Sequence, residues 1–178
     1  HYDYWSNKLR KPILFDAKAD YLIYGMGEIA IKEFTQALKQ NRDPKDVRGI
    51  CYISKEPILD YIQIPSHQEC LDNKEKYIDL FDSFYDNNDP ISAKGLCQKV
   101  DTRYSIQNPP CDYLNEEEMD EVSSLPFTRE LHPFHKPQGN VKCLETIKFS
   151  VQTHHGCWGE CNFCAIAVHQ GRTIRTRS

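Results

Sequence analysis

The sequence predicts an α/β protein, and three features carry that prediction. Residues 20–54 read in turn as strand, glycine turn, helix and strand, the order of a βαβ unit in a parallel sheet. Amphipathic stretches then alternate with short apolar runs as far as residue 110. A period-two pattern returns at residues 145–153, directly ahead of a cluster of thiols.

Taken in order, Asn7 to Ala17 space Leu9, Ile13 and Ala17 four apart, one face of a helix, with Pro12 breaking the pattern unless the helix begins there. "DYLIYG" at residues 20–25 has the Tyr, Leu and Ile of a buried strand. "GMGE" turns the chain, and Ile29, Ile31, Phe34 and Leu38 lay out a helical stripe before "RGICYIS", the next strand. Between Pro65 and Asn87, Tyr77, Leu80, Phe81 and Phe84 recur at helical spacing among acids and lysines. "DPISAKGLC" predicts a short helix capped by Asp89, with Pro90 at its first position. "RYSIQNPP" reads as a strand closed by Asn-Pro-Pro.

"LNEEEMDEV" carries a helix-start signature: Asn115 caps, Glu118 reaches back in a capping box, and Leu114 staples onto Met119. Glu116, Glu117 and Glu118 also complement the positive end of the helix dipole, which accounts for them without a function. Pro126 ends that helix, and "HPFHKPQGN" is loop by composition, its His132 and His135 solvated. "ETIKFSVQT", Glu145 to Thr153, alternates Ile147, Phe149 and Val151 against Thr146, Lys148 and Ser150, a strand leading into the thiols.

The chain is long enough, at 178 residues, for one compact domain or two small ones; 39% hydrophobic and 27% charged residues support a core and exclude wholesale disorder. A net charge of -4 gives no general pull towards nucleic acid or anionic membrane. No apolar run reaches the length of a membrane span and no signal-peptide pattern opens the chain, so a cytoplasmic location without a membrane partner is expected. The opening "HYDYW" lacks a methionine, and the chain reads as a fragment.

Of eight cysteines, Cys51, Cys70, Cys97, Cys111 and Cys143 are scattered, as small apolar side chains are. Cys157, Cys161 and Cys164 are bunched in "HHGCWGECNFC", which in a reducing cytosol favours metal ligation over disulfides. Three soft ligands on one curled loop can be drawn to one side of a metal centre. A structural zinc site closes with a fourth ligand, here His154, His155 or His169. An iron–sulfur cluster held by three cysteines instead leaves one iron free for a ligand that is not protein. His154 and His155 are neighbours in a strand exit and point to opposite faces, so at most one faces a metal.

Two further features admit competing readings. "GMGE" offers backbone N–H groups to an anion, but Gly25 and Gly27 form an incomplete fingerprint; a tight strand-to-helix turn is the better explanation, and cobalamin binding the lesser one. Arg172, Arg175 and Arg177 suit a phosphate-bearing substrate or tRNA. Without interleaved aromatics, pairing with acids in a missing part of the protein is favoured over nucleic acid.

Cys157-x3-Cys161-x2-Cys164, with aromatic Phe163 before the last cysteine, resembles the signature of radical S-adenosylmethionine enzymes. "QNPP" (107–110), "LPFTRELHP" (125–133), "IKFSV", "FCAIAVHQGRTIRTRS" (163–178) and the opening "YDYWSNKLRKPILFDAKADYLIYGMGE" are similar to the YgiQ family of that superfamily. The resemblance implies an α/β chain holding the end of a Rossmann-like, cobalamin-binding-domain-like parallel sheet (1–60), a connector (61–140), and the first strand and cluster loop of a truncated (β/α) barrel (141–178). It implies a 4Fe-4S cluster on Cys157, Cys161 and Cys164, with Phe163 near the adenine of S-adenosylmethionine. An electron donor such as flavodoxin or ferredoxin would drive reductive cleavage of that cofactor to a 5′-deoxyadenosyl radical, which acts on a substrate the sequence does not identify. His155 stands where the family commonly has arginine. The implied alternatives are a tRNA methylthiotransferase relative and, from another class, a structural zinc module. Turnover is not expected of the fragment alone.

Overall fold

The computed structural model describes residues 1–178. A hairpin opens it, β1 (Tyr2–Asp3) against β2 (Lys8–Leu9), turned at Asn7, whose φ of 51° falls in the left-handed region asparagine tolerates. The helix expected over 7–17 shrinks to α1 (Ile13–Asp16). Pro12 decides this: it lacks an N–H for a preceding turn, so helix starts only after it.

β3 (Tyr21–Ile23) turns through Gly25, at φ 67°, into α2 (Glu28–Lys39). A Cβ on Gly27 would lie 2.9 Å from the Ile23 side chain, so the tight strand-to-helix turn read from "GMGE" is what these glycines serve. The inner face keeps Phe34 of the expected stripe but is otherwise made by Ala30 and Ala37. Ala30 and Ala37 are fully buried and Phe34 stacks edge-on to Tyr21 at 5.1 Å, while Ile31 and Leu38 stay exposed. Small side chains win the inner face because they let the helix approach closely.

β4 (Ile50–Ser54) pairs with β3 antiparallel, not parallel as the βαβ reading expects. The amide of Tyr24 donates to the Gly49 carbonyl at 3.0 Å, so the chain leaves and re-enters the sheet at the same end and α2 is an excursion between two hairpin-like strands. A parallel βαβ unit does exist, one step later. β5 (Ile62–Ile64) runs through α3 (His67–Asp72) and α4 (Lys74–Tyr85) to β6 (Leu96–Val100), and β5 and β6 pair in parallel. Asn73 splits the helical stretch, its side chain accepting from the Glu75 amide at 2.8 Å. The helix expected over 89–97 is a turn: Asp89 does cap, accepting from the Ile91 amide at 2.8 Å, but Leu96 and Cys97 are drawn into the sheet.

β7 (Arg103–Gln107) completes a mixed five-stranded sheet in the order β3-β4-β7-β6-β5, antiparallel except at β5–β6. The expected parallel sheet is thus mixed, and it takes strands from both sides of residue 60. One face carries the core of Val47, Ile50, Tyr52, Cys97 and Ile106. By strand alternation the other presents Leu22, Cys51, Leu96 and Gln107, towards α1, α3 and α4.

Beyond the sheet, α5 (Glu116–Ser123) has the capping box expected of Asn115 and Glu118, and Leu114 and Met119 are both buried. The strand expected over 145–153 is absent. α6 (Cys143–Ile147) takes its first residues, and Phe149 and Val151 lie exposed. A strand persists only where a neighbour accepts its ladder of hydrogen bonds, and no strand lies beside this stretch. β8 (His154–His155), α7 (Ile166–Gln170) and β9 (Arg175–Thr176) finish the chain, with β8 antiparallel to β9. No helix is long and apolar enough to cross a membrane.

Candidate metal centre

The three bunched thiols sit on the loop that β8 and β9 close at its base. His154 pairs with Thr176 and His155 with Arg175. Just inside this pair, the Cys157 amide donates to the Gly171 carbonyl at 3.1 Å. The turn out of β8 requires Gly156: its φ is 87°, and a Cβ there would lie 2.2 Å from the Thr173 carbonyl oxygen. Cys161 and Cys164 are joined by one tight turn, the Cys164 amide donating to the Cys161 carbonyl at 2.9 Å.

Gly159 stands midway between Cys157 and Cys161 in the loop. A Cβ on Gly159 would lie 3.4 Å from the Cys157 sulfur and 3.7 Å from that of Cys161, so a residue without a side chain borders the space between them. The Gly159 amide also donates to the Cys157 sulfur at 3.4 Å. The side chains are not drawn together as a set of three or more ligands. Cys161 is exposed, Cys157 and Cys164 half-buried, and Phe163 stands 93% exposed. Thiols are the donor type that an iron–sulfur cluster takes.

The histidines do not join the thiols. His154 is exposed with its Nδ1 3.1 Å from Thr153 Oγ1, whereas His155 and His169 line a cavity of about 350 Å³ between the loop and the sheet. Leu22, Cys51 and Gln107 form the floor of that cavity, and α7 forms one wall. The side-chain nitrogens of Gln107 and Asn88, both lining it, are buried without a partner. Burial pushes the Cys51 thiol up to about 12 and that of Cys111, also on the cavity, up to about 11, which marks them as inert apolar side chains. The Tyr24 hydroxyl, raised by the same cause, donates to the Asn108 carbonyl.

All three arginines after the thiols are engaged within this chain. Arg172 pairs with Glu160 and donates to Asn88 Oδ1 at 2.6 Å. Arg175 lies 5.5 Å above the Tyr113 ring, and Arg177 pairs with Asp120 at 3.4 Å. Two of the three find acids within this chain, Glu160 and Asp120, and Arg175 has an aromatic ring in place of an acid. Glu160, Asn88 and Tyr85 went unnoticed in the sequence: Asn88 and Tyr85 lie far along the chain from their partner Arg172, and no periodicity connects any of the three to it.

A family model described as radical SAM N-terminal matches residues 1–150. A UPF0313 protein of Fusobacterium nucleatum is 60% identical over 178 residues, which is 100% of this chain and 31% of that protein. UPF0313 proteins of Clostridium botulinum (strain 657) and Thermotoga neapolitana are 45% and 44% identical, each over 100% of this chain and 29% and 32% of their own length. The chain therefore spans about a third of the length of the curated relatives it matches, and its thiols lie beyond the stretch the family model covers. No solved structure matches it. Matched by the family model along most of its length and by a relative that shares more than half its residues, the chain belongs to the radical SAM N-terminal family, consistent with the YgiQ type that its motifs resemble.

Proposed function

We propose that this chain holds a 4Fe-4S cluster through Cys157, Cys161 and Cys164, and that in the whole protein residues 141–178 open a radical SAM barrel. The single observation that carries the reading is the spacing of three thiols on one loop with Gly159 between two of the sulfurs, in a chain of the radical SAM N-terminal family. When bound, such a cluster supplies the electron that cleaves S-adenosylmethionine, itself re-reduced by a donor such as flavodoxin or ferredoxin.

The residues of the chain bind and orient. Cys157, Cys161 and Cys164 supply three thiolates, and the Gly159 amide orients the first of them by donating to its sulfur. Phe163, its ring exposed, offers a stacking face for the adenine. Since Arg172, Arg175 and Arg177 all have partners in this chain, a nucleic-acid substrate gains no support from them.

The test is anaerobic loading of the chain with ferrous salt and sulfide, read by metal analysis and by EPR of the reduced sample with and without S-adenosylmethionine. About four irons per chain and an EPR signal that responds to the cofactor are expected. Cys161→Ala should lose the iron while the sheet keeps its circular dichroism. Stoichiometric zinc with no iron retained would overturn the reading in favour of a structural zinc module.

A further inference from the structure

Glu160 lies between two of the three thiols and takes a φ of 44°, a left-handed conformation that residues with a Cβ seldom adopt. Something must hold it there. Its carboxylate pairs with Arg172 and accepts from the Tyr85 hydroxyl at 3.4 Å. The Arg172 guanidinium in turn stacks over the Tyr85 ring at 4.6 Å and donates to Asn88 Oδ1 at 2.6 Å. Tyr85 ends α4 and Asn88 follows it, so both belong to the α/β unit and not to the cysteine loop.

Isolated surface ion pairs hold little, because water screens them and two long side chains must be ordered. This one differs in that a single planar group meets a carboxylate, an aromatic face and an amide at once, an arrangement open to arginine and not to lysine. The bond from Cys157 to Gly171 fixes one end of the loop, and the Glu160–Arg172 pair fixes its middle.

We infer that Glu160 and Arg172 are positioning residues: they clamp the cysteine loop onto α4 and hold Glu160 left-handed, and so set the separation of Cys157 and Cys161 for the cluster. The last part rests on the cluster reading above; the clamp itself does not. Arg172 serves as the bridge, and the α/β unit thereby becomes part of the cluster's mounting.

Amide hydrogen exchange on the full chain without metal tests the clamp. Arg172→Ala and Glu160→Gln should raise exchange across residues 156–164 by about tenfold while β4 and β7 keep wild-type rates. Arg172→Lys should recover only part of the protection. Glu160→Gly separates clamp from backbone, because glycine takes the left-handed conformation freely. The clamp predicts that Glu160→Gly exchanges as fast as Arg172→Ala, and wild-type protection in either variant would overturn it. Iron and sulfide loading supplies the second arm, in which the variants should surrender iron to a chelator several-fold faster than wild type. If wild type loads no iron, the cluster reading fails and the exchange data still judge the clamp. If wild type loads iron and the variants retain it equally well, the positioning role is overturned.

Discussion

The backbone amide of Cys157 donates to the carbonyl of Gly171 across 3.1 Å, so the first thiol of the motif is tied to the residue that follows α7. Closing the loop this way depends on two glycines. Gly156 and Gly171 sit at φ 87° and 85°, and a Cβ would lie 2.2 Å from the Thr173 carbonyl oxygen at the first and 2.5 Å from the Tyr113 ring at the second.

Gly156→Ala should therefore undock the loop, since a backbone carbonyl cannot move aside as a side-chain tip can. The expected outcome is trypsin cleavage at Arg175 and Arg177 about tenfold faster, with the sheet's thermal transition little changed. Gly171→Ala should show the same effect more weakly, because the Tyr113 ring can rotate away.

Asn108, 2% exposed, fastens the end of β7 to the loop before β4. Its amide donates to the carbonyls of Lys45 at 2.7 Å and Val47 at 2.6 Å, and its oxygen accepts from the Tyr61 hydroxyl at 3.0 Å. Asn108→Ala leaves these buried groups unpaired and should cost about 3 kcal/mol in urea unfolding. Asn108→Asp should cost more, since a carboxylate would face two carbonyls.

Cys51 and Cys111 should resist alkylation at pH 8, where the exposed Cys143 and Cys161 react first. Burial holds both thiols above the ordinary value of 9.0, to about 12 and about 11. The folded state therefore binds these protons more tightly than the unfolded chain does. Their contribution to stability is complete below pH 9 and is lost as pH rises through 9 towards 11–12. Urea midpoints measured from pH 8 to 10.5 should fall, and Cys51→Ala and Cys111→Ala together should flatten the slope.

His67 has the opposite sign. Burial first, and the nearby Lys11 charge second, hold its pKa below the ordinary 6.5, so the unfolded chain binds the proton more tightly. The stability it contributes is present above pH 6.5 and lost as pH falls below it. His67→Gln should be less sensitive than wild type to a shift from pH 7 to pH 5, measured by urea unfolding.

Local chemistry carried the sequence reading where it was right. Asn115 and Glu118 cap α5 as their spacing predicts, because a capping box involves only residues within one turn of each other. β3, β4 and β7 were legible from β-rich apolar runs. β5 and β6 were not: three residues beside Pro65 make a weak signal, and Gln98 and Lys99 interrupt the apolar pattern of the other. Direction was misread at β3–β4, since the same strand–helix–strand order serves a parallel crossover or an excursion that returns to one end of the sheet.

By itself the sequence determined the α/β class, the three thiols and their spacing, and through its motifs the family. Those properties reside in neighbouring residues and in composition. Only the tertiary structure decided the mixed sheet, the absence of the strand expected over 145–153, and the partners of Arg172, Arg175 and Arg177. Strand pairing and ion pairing bring together groups tens of residues apart, and a strand or a charge finds its partner through the path of the whole chain.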